Sequence, residues 1–196
     1  MARVSTNLVV MPGSPSLVHE LAPRDTVGAR MVARLRSLID ASCAPIHLVS
    51  SRAARWETGV EGSFRAWGAP QVQVGTGRFL PELVQRYVLG EAALRVASVR
   101  GQLDEIEPAA LTIVAVDGSA GLTERAPLAL LPGAARADAW CRAMLAGQPP
   151  GELPAESGII ETQLWEELAA LRPHNAELLE ADSTHGVGRY VAAWQI

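Results

Sequence analysis

The sequence predicts an α/β fold, a mostly parallel sheet with helices on both faces, and three observations point there. Short apolar runs such as Leu8–Met11, Ile46–Ser50 and 111–116 alternate with stretches of helical period, the pattern of strands joined by crossover helices. Only 5% of the residues are aromatic and the apolar positions are mostly Ala, Val and Leu, which suits close helix–sheet packing. With 196 residues and an apolar fraction of 48%, the chain can bury one substantial core, so a single domain over residues 1–196 is expected.

Each element follows from its own signal. Leu8–Met11 is a short buried strand that stops at Pro12-Gly13-Ser14-Pro15. Over 24–40, Val27, Met31, Leu35 and Leu38 recur at helical spacing with arginines between them. Ile46–Ser50 is a second strand after Pro45, and 71–74 alternates like a half-exposed one. Leu80, Leu83, Tyr87 and Val88 mark a helix ending near Gly90, and Leu94, Val96 and Val99 an extended segment. The β-branched run 111–116 reads as a central parallel strand. Helices are expected over 135–146 and 157–171, the second capped by Ser157, on either side of a surface loop at 147–154. Residues 187–194 form the last strand.

Composition narrows the function classes. A net charge of −4 gives no general electrostatic reason to bind nucleic acid. All 17 basic residues are arginine, which we read as the codon bias of a GC-rich genome. No apolar run approaches the roughly 20 residues a membrane helix needs. The start of the chain is too short and too polar for a signal peptide, so a cytoplasmic protein is expected. Cys43 and Cys141 lack metal-like spacing and sit in apolar helical contexts, as buried free thiols do.

In an open α/β sheet, sites form beyond the carboxyl ends of the strands. That rule selects Ser14, Ser16, His19 and Glu20 after the first strand, Ser51 and Arg52 after the second, and Asp117, Ser119, Thr123 and Glu124 after the 111–116 strand. His47 falls within a strand, and His174 beyond a helix end. His19 and His185, with a carboxylate such as Asp182, are chemically able to hold a metal, although no local spacing supports it. Gly118-Ser119-Ala120-Gly121 is not a nucleophile elbow, Gly75-Thr76-Gly77 is too short for a dinucleotide loop, and Gly186-Val187-Gly188 reads as a tight turn. Arg52, Arg55 and Arg65, with Trp56, Phe64 and Trp67 between them, form either an anion or partner site or a solvated loop pinned to the core by its tryptophans.

Several of these segments together resemble one family. The stretch from Pro12 to Leu21, the strand end Val49-Ser50-Ser51-Arg52, Val114-Ala115-Val116-Asp117-Gly118-Ser119 and the ending Gly186-Val187-Gly188-Arg189-Tyr190-Val191 are similar to the class III extradiol ring-cleavage dioxygenase family, in a divergent actinobacterial branch of unsettled activity. The resemblance implies a three-layer α/β/α sandwich around a mostly parallel sheet. It also implies Fe(II) held by two histidines and one glutamate. Here the first ligand position falls on Gly13 or Ser14 and the second on Arg52, while 156–167 offers several glutamates. No histidine stands near 117–123, where the family's acid/base residue is expected.

The resulting expectation is a scaffold without iron chemistry and without a cofactor. It would bind a small anionic or aromatic ligand near Ser14, Arg52, Asp117 and Ser119, or assemble with itself or another protein. The alternative is a metal-dependent oxidoreductase, dioxygenase-like, with relocated ligands such as His19, Glu20 and His185. A purely structural or interaction role is the third.

Overall fold

A computed structural model describes residues 6–196; the reading of the first residues as no signal peptide rests partly on 1–5, outside the described residues. The fold is mixed α/β. Six strands form one sheet: β1 (Leu8–Met11), β2 (Ile46–Ser50), β5 (Val96–Arg100), β6 (Leu111–Ala115), β7 (Asn175–Asp182) and β8 (Arg189–Gln195), in the order β5-β2-β6-β1-β8-β7. The contacts β5–β2, β2–β6 and β6–β1 are parallel, and β8 runs antiparallel to both β1 and β7. A separate two-stranded ribbon joins β3 (Ser63–Phe64) to β4 (Ala69–Gln73). The described residues contain four α-helices: α1 (Thr26–Asp40), α2 (Leu80–Leu89), α3 (Ala134–Leu145) and α4 (Gln163–Ala170). Among the described residues, no helix is long and apolar enough to cross a membrane.

The central strands are apolar at every position because both faces are covered. All residues of β1, β2 and β6 are buried. Alternate residues go to different clusters, as the two-residue period of a strand requires. Val9, Met11, Leu48 and Ile113 pack with Met31, Leu35 and Ile39 of α1 and Leu83, Val84 and Val88 of α2. Leu8, Val10, Val49 and Val114 pack with Cys141 and Leu145 of α3 and Leu164, Trp165 and Leu168 of α4. Each fully buried Val, Leu or Ile contributes about 1.5–3 kcal/mol, so these clusters supply the main driving force.

Local signals set several boundaries. Asp25 caps α1, its side chain accepting the Gly28 N–H at 2.9 Å, and the helix buries Met31, Val32, Leu35 and Ile39 at helical spacing. Pro81 sits in the first turn of α2, where its missing N–H costs nothing.

Three expectations need correction, and one strand, β7, is not foreshadowed by the sequence pattern. Ser157 does not cap a helix over 157–171: Glu156 and Gly158 have φ of 52° and 69°, which breaks the helical path, and α4 starts only after Thr162. The Ser157 hydroxyl instead accepts the Ile159 N–H within a loop. Residues 175–182 form β7, although Glu, Leu and Ala in this stretch favour helix. Pairing with β8 overrides propensity, and a register shift between Leu178 and Glu180 blurs the alternation. Leu94 lies in a 3-10 turn, Gly90–Arg95, and is 93% exposed rather than extended and packed. Cys43 is exposed in the loop after α1, whereas Cys141 is buried in α3 as expected.

The β7–β8 pair is tied to the rest by one buried cation. Arg189, at the start of β8, is fully buried. Its guanidinium donates to Asp182 at the end of β7, to Asp25 at the head of α1, and to Ser16 in the loop after β1. Burial pushes the Asp25 and Asp182 carboxyls up, but Arg189 and nearby N–H and hydroxyl donors hold both below their usual range. Breaking such a group from one side strands a buried charge. Arg189→Met is therefore expected to cost about 3–5 kcal/mol in urea unfolding. Adding Asp25→Asn and Asp182→Asn to that variant should recover a large part of the loss; a loss that persists would assign the effect to packing.

Candidate ligand-binding site

The strand order fixes where a cleft must open. From β1 the chain leaves through α1 towards β2 and β5, and from β6 it leaves through α3 and α4 towards β7 and β8. Neighbouring strands β1 and β6 thus send their connections to opposite sides, so their loops part at the carboxyl ends. A cavity of about 380 Å³ lies there. Gly13, Ser14 and Pro15 of the loop after β1 form part of its wall, with Ala115 to Gly118 at the end of β6 and Ser51 after β2. Leu80 and Pro81 open α2 on the same wall, and Trp56, Trp67, Ile160, Glu161 and Leu164 complete its main features. This is mostly apolar surface interrupted by a few polar groups, the usual make-up of a small-molecule site.

Asp117 is the least satisfied of those groups. Its residue is half-buried, yet its Oδ1 is shielded from water and has no hydrogen-bond partner. Burial pushes the carboxyl up to about 7, against the pull of the Arg189 charge and of the Gly13 and Ser14 N–H groups. Gly13 lets the loop come this close: a Cβ there would stand 3.3 Å from Asp117 Oδ2 and 3.4 Å from Pro81. The Asp117 carbonyl accepts the Trp165 indole N–H at 2.8 Å, which locks the backbone under the carboxyl to α4. On its other side, Tyr190 of β8 donates to Asp138 of α3 at 2.5 Å and packs against Gly118 and Gly188. A Cβ on Gly118 would meet the Tyr190 hydroxyl at 2.5 Å, so the residue after Asp117 has no room for a side chain.

Glu161 is the second acid of the wall, and it is well partnered. Its Oε2 accepts the Ser51 hydroxyl and its Oε1 the Trp56 indole N–H, both at 3.0 Å. The exposed Arg55 stands 3.4 Å from Oε1.

The residues expected from the sequence are only partly brought together. Ser14 and Asp117 share the cavity wall. Ser119 is fully buried behind it, its hydroxyl accepting the Gly121 N–H at 3.2 Å. Arg52 turns away: its guanidinium lies 4.8 Å from the centre of the Phe79 ring and it lines a neighbouring shallow depression with Arg100 and Asp104. The Arg–Trp segment is pinned by Phe64, which is fully buried, while Trp67 is 38% exposed and joins Trp56 on the cavity wall. Glu161 was reachable only as one of several glutamates between 156 and 167. Nothing in its sequence neighbourhood announces that the loop returns to Ser51.

The donor set does not fit Fe(II). Gly13 offers no side chain, Ser14 a hydroxyl engaged with Ser16 at 2.9 Å, and Arg52 a cation facing elsewhere. Of the relocated candidates, Glu20 accepts the Tyr87 hydroxyl, His185 stands 3.4 Å from Asp25 and Asp182 is held by Arg189, while His19 lies exposed. Among the described residues, no three His, Cys, Asp or Glu side chains are grouped to hold a metal ion. Compared with known protein families the chain matches none, and no curated protein matches it.

The position of Asp117 has a consequence for stability. A carboxyl that holds its proton up to about pH 7 when folded, against 3.8 ordinarily, favours the folded state most at low pH. That contribution declines as pH rises from about 4 to about 7. Asp117→Asn should therefore raise the melting temperature relative to wild type more at about pH 8 than at about pH 5. Calorimetry at both would check this; equal offsets would mean that the carboxyl titrates normally.

Proposed function

We propose that this chain is a small-molecule binding protein, built on an extradiol dioxygenase-like three-layer α/β/α scaffold without that family's iron chemistry. The site is the cavity between the β1 and β6 loops, and the ligand is a small, largely apolar molecule of about the size of a substituted benzene. The observation that carries this reading is the apolar cavity of about 380 Å³ with the Asp117 carboxyl in its wall. Such a pocket gains by excluding water from the ligand, and a ligand hydroxyl or amine would hydrogen-bond the Asp117 carboxyl from the cavity side.

Of the two ligand chemistries expected from the sequence, the aromatic one has the support. Trp56, Trp67, Leu80, Pro81, Ile160 and Leu164 suit a flat apolar body. The anionic one depended on Arg52, which is not part of the wall. The layered arrangement is supported by the two core clusters, which draw on α1 and α2 in one case and on α3 and α4 in the other. We also propose a cytoplasmic setting, with the two unpaired cysteines in its favour.

Titration with neutral aromatic probes such as 2-phenylethanol, followed by tryptophan fluorescence and by ligand-observed NMR, tests the reading. Saturable binding is expected, with affinity about tenfold weaker in Ile160→Trp, whose larger side chain fills the mouth of the cavity. Absence of saturable binding by any aromatic probe, neutral or charged, or binding that the substitution leaves unchanged, would remove the site from consideration.

A further inference from the structure

Resting on the ligand-binding reading above, we infer that the ligand class of this cavity is a cationic amine carried on a small aromatic or alicyclic body, its ammonium group paired with Asp117. Among the described residues, the wall includes two carboxyl groups, Asp117 and Glu161, and no Arg, Lys or His side chain. An anion entering this space would add a third acid where water is excluded. A cation is the one charge type the wall can compensate.

The two acids are not equivalent, and the difference says where the ammonium goes. Glu161 already takes two hydrogen bonds, from Ser51 and Trp56, and has the Arg55 cation beside it. Asp117 has the backbone N–H groups of Gly13 and Ser14 beside it and, among the described residues, no ion pair; its Oδ1 is sealed from water, so a ligand meets the carboxyl from the cavity side. Arg189 is committed to Asp25 and Asp182, so it acts on Asp117 only through its field. An ammonium carries three N–H donors. One meets the Asp117 carboxyl, and the hydroxyls of Ser14 and Ser51 lie on the same wall as further acceptors. A neutral alcohol carries a single donor and brings no charge to Asp117. The indoles of Trp56 and Trp67 add the apolar surface for the carrier, and aromatic faces attract cations rather than anions.

Three probes of nearly one shape separate these cases: 2-phenylethylamine, 2-phenylethanol and phenylacetate, each titrated calorimetrically into the wild-type chain and into Asp117→Asn. The amine is expected to bind about tenfold or more tightly than the alcohol, and phenylacetate most weakly. In Asp117→Asn the advantage of the amine should shrink to about threefold or less while the alcohol still binds, which also shows that the variant keeps its cavity. An alcohol that binds as tightly as the amine, an acid that binds best, or an amine advantage that survives Asp117→Asn would overturn the amine assignment and leave the cavity as a ligand site. If none of the three binds, the ligand-binding reading falls with it.

Discussion

The arrangement depends on where one buried guanidinium can find its partners. Arg189 opens β8, the strand that joins the parallel part of the sheet to its outer strand, and it has no contact with solvent. A cation in that position is tolerable only with paired carboxylates and satisfied N–H groups. Asp182 supplies one from β7, Asp25 another from the head of α1, and the Ser16 hydroxyl completes the set from the loop after β1. The same Asp25 caps α1 through Gly28. One charge thus fixes three chain segments, including the loop that carries Gly13 and Ser14 into the cavity wall.

That constraint reaches the site electrostatically as well. The Arg189 field and the N–H groups of the pinned loop favour the ionised form of Asp117, while burial favours the neutral acid. Burial wins, because two N–H dipoles and an already neutralised guanidinium replace only part of the water that a carboxylate loses. Trp165 and Tyr190 meet edge to face, with ring centres 5.8 Å apart, and the Trp165 indole N–H holds the Asp117 carbonyl.

How much of this was legible in the sequence depends on whether the deciding contacts are local. β1, β2 and β6 announce themselves because a strand covered on both faces must be apolar throughout. The helix 24–40 is legible from its spacing, and Asp117 from its place after a central strand. β7 is not legible, since its partner is seen only once the chain has folded back. Ser157 shows the opposite error: a good capping residue followed by helix formers, overruled by Glu156 and Gly158 in left-handed conformations and by packing of Gly158 against Ser119. Arg52 and Glu161 are long-range cases. Arginine after a strand end is equally able to enter the cleft or to stack on Phe79, and only the tertiary arrangement decides. Glu161 reaches the cavity because Ser51 and Trp56, more than a hundred residues earlier, present donors to it.

These long-range choices bear on what the strand ends can do chemically. A site that holds a divalent cation keeps its carboxylates ionised, because the metal's charge outweighs the loss of water. At this cleft the position after β1 carries glycine and serine, the arginine after β2 faces outward, and the acid after β6 is left among apolar groups. The same burial that would be harmless beside a metal then drives the carboxyl towards its neutral form. On the proposed reading, a cationic group restores the missing compensation from the ligand's side, whereas a neutral one leaves Asp117 protonated. On that reading, selectivity would rest on a single desolvated acid beside the loop that Arg189 secures.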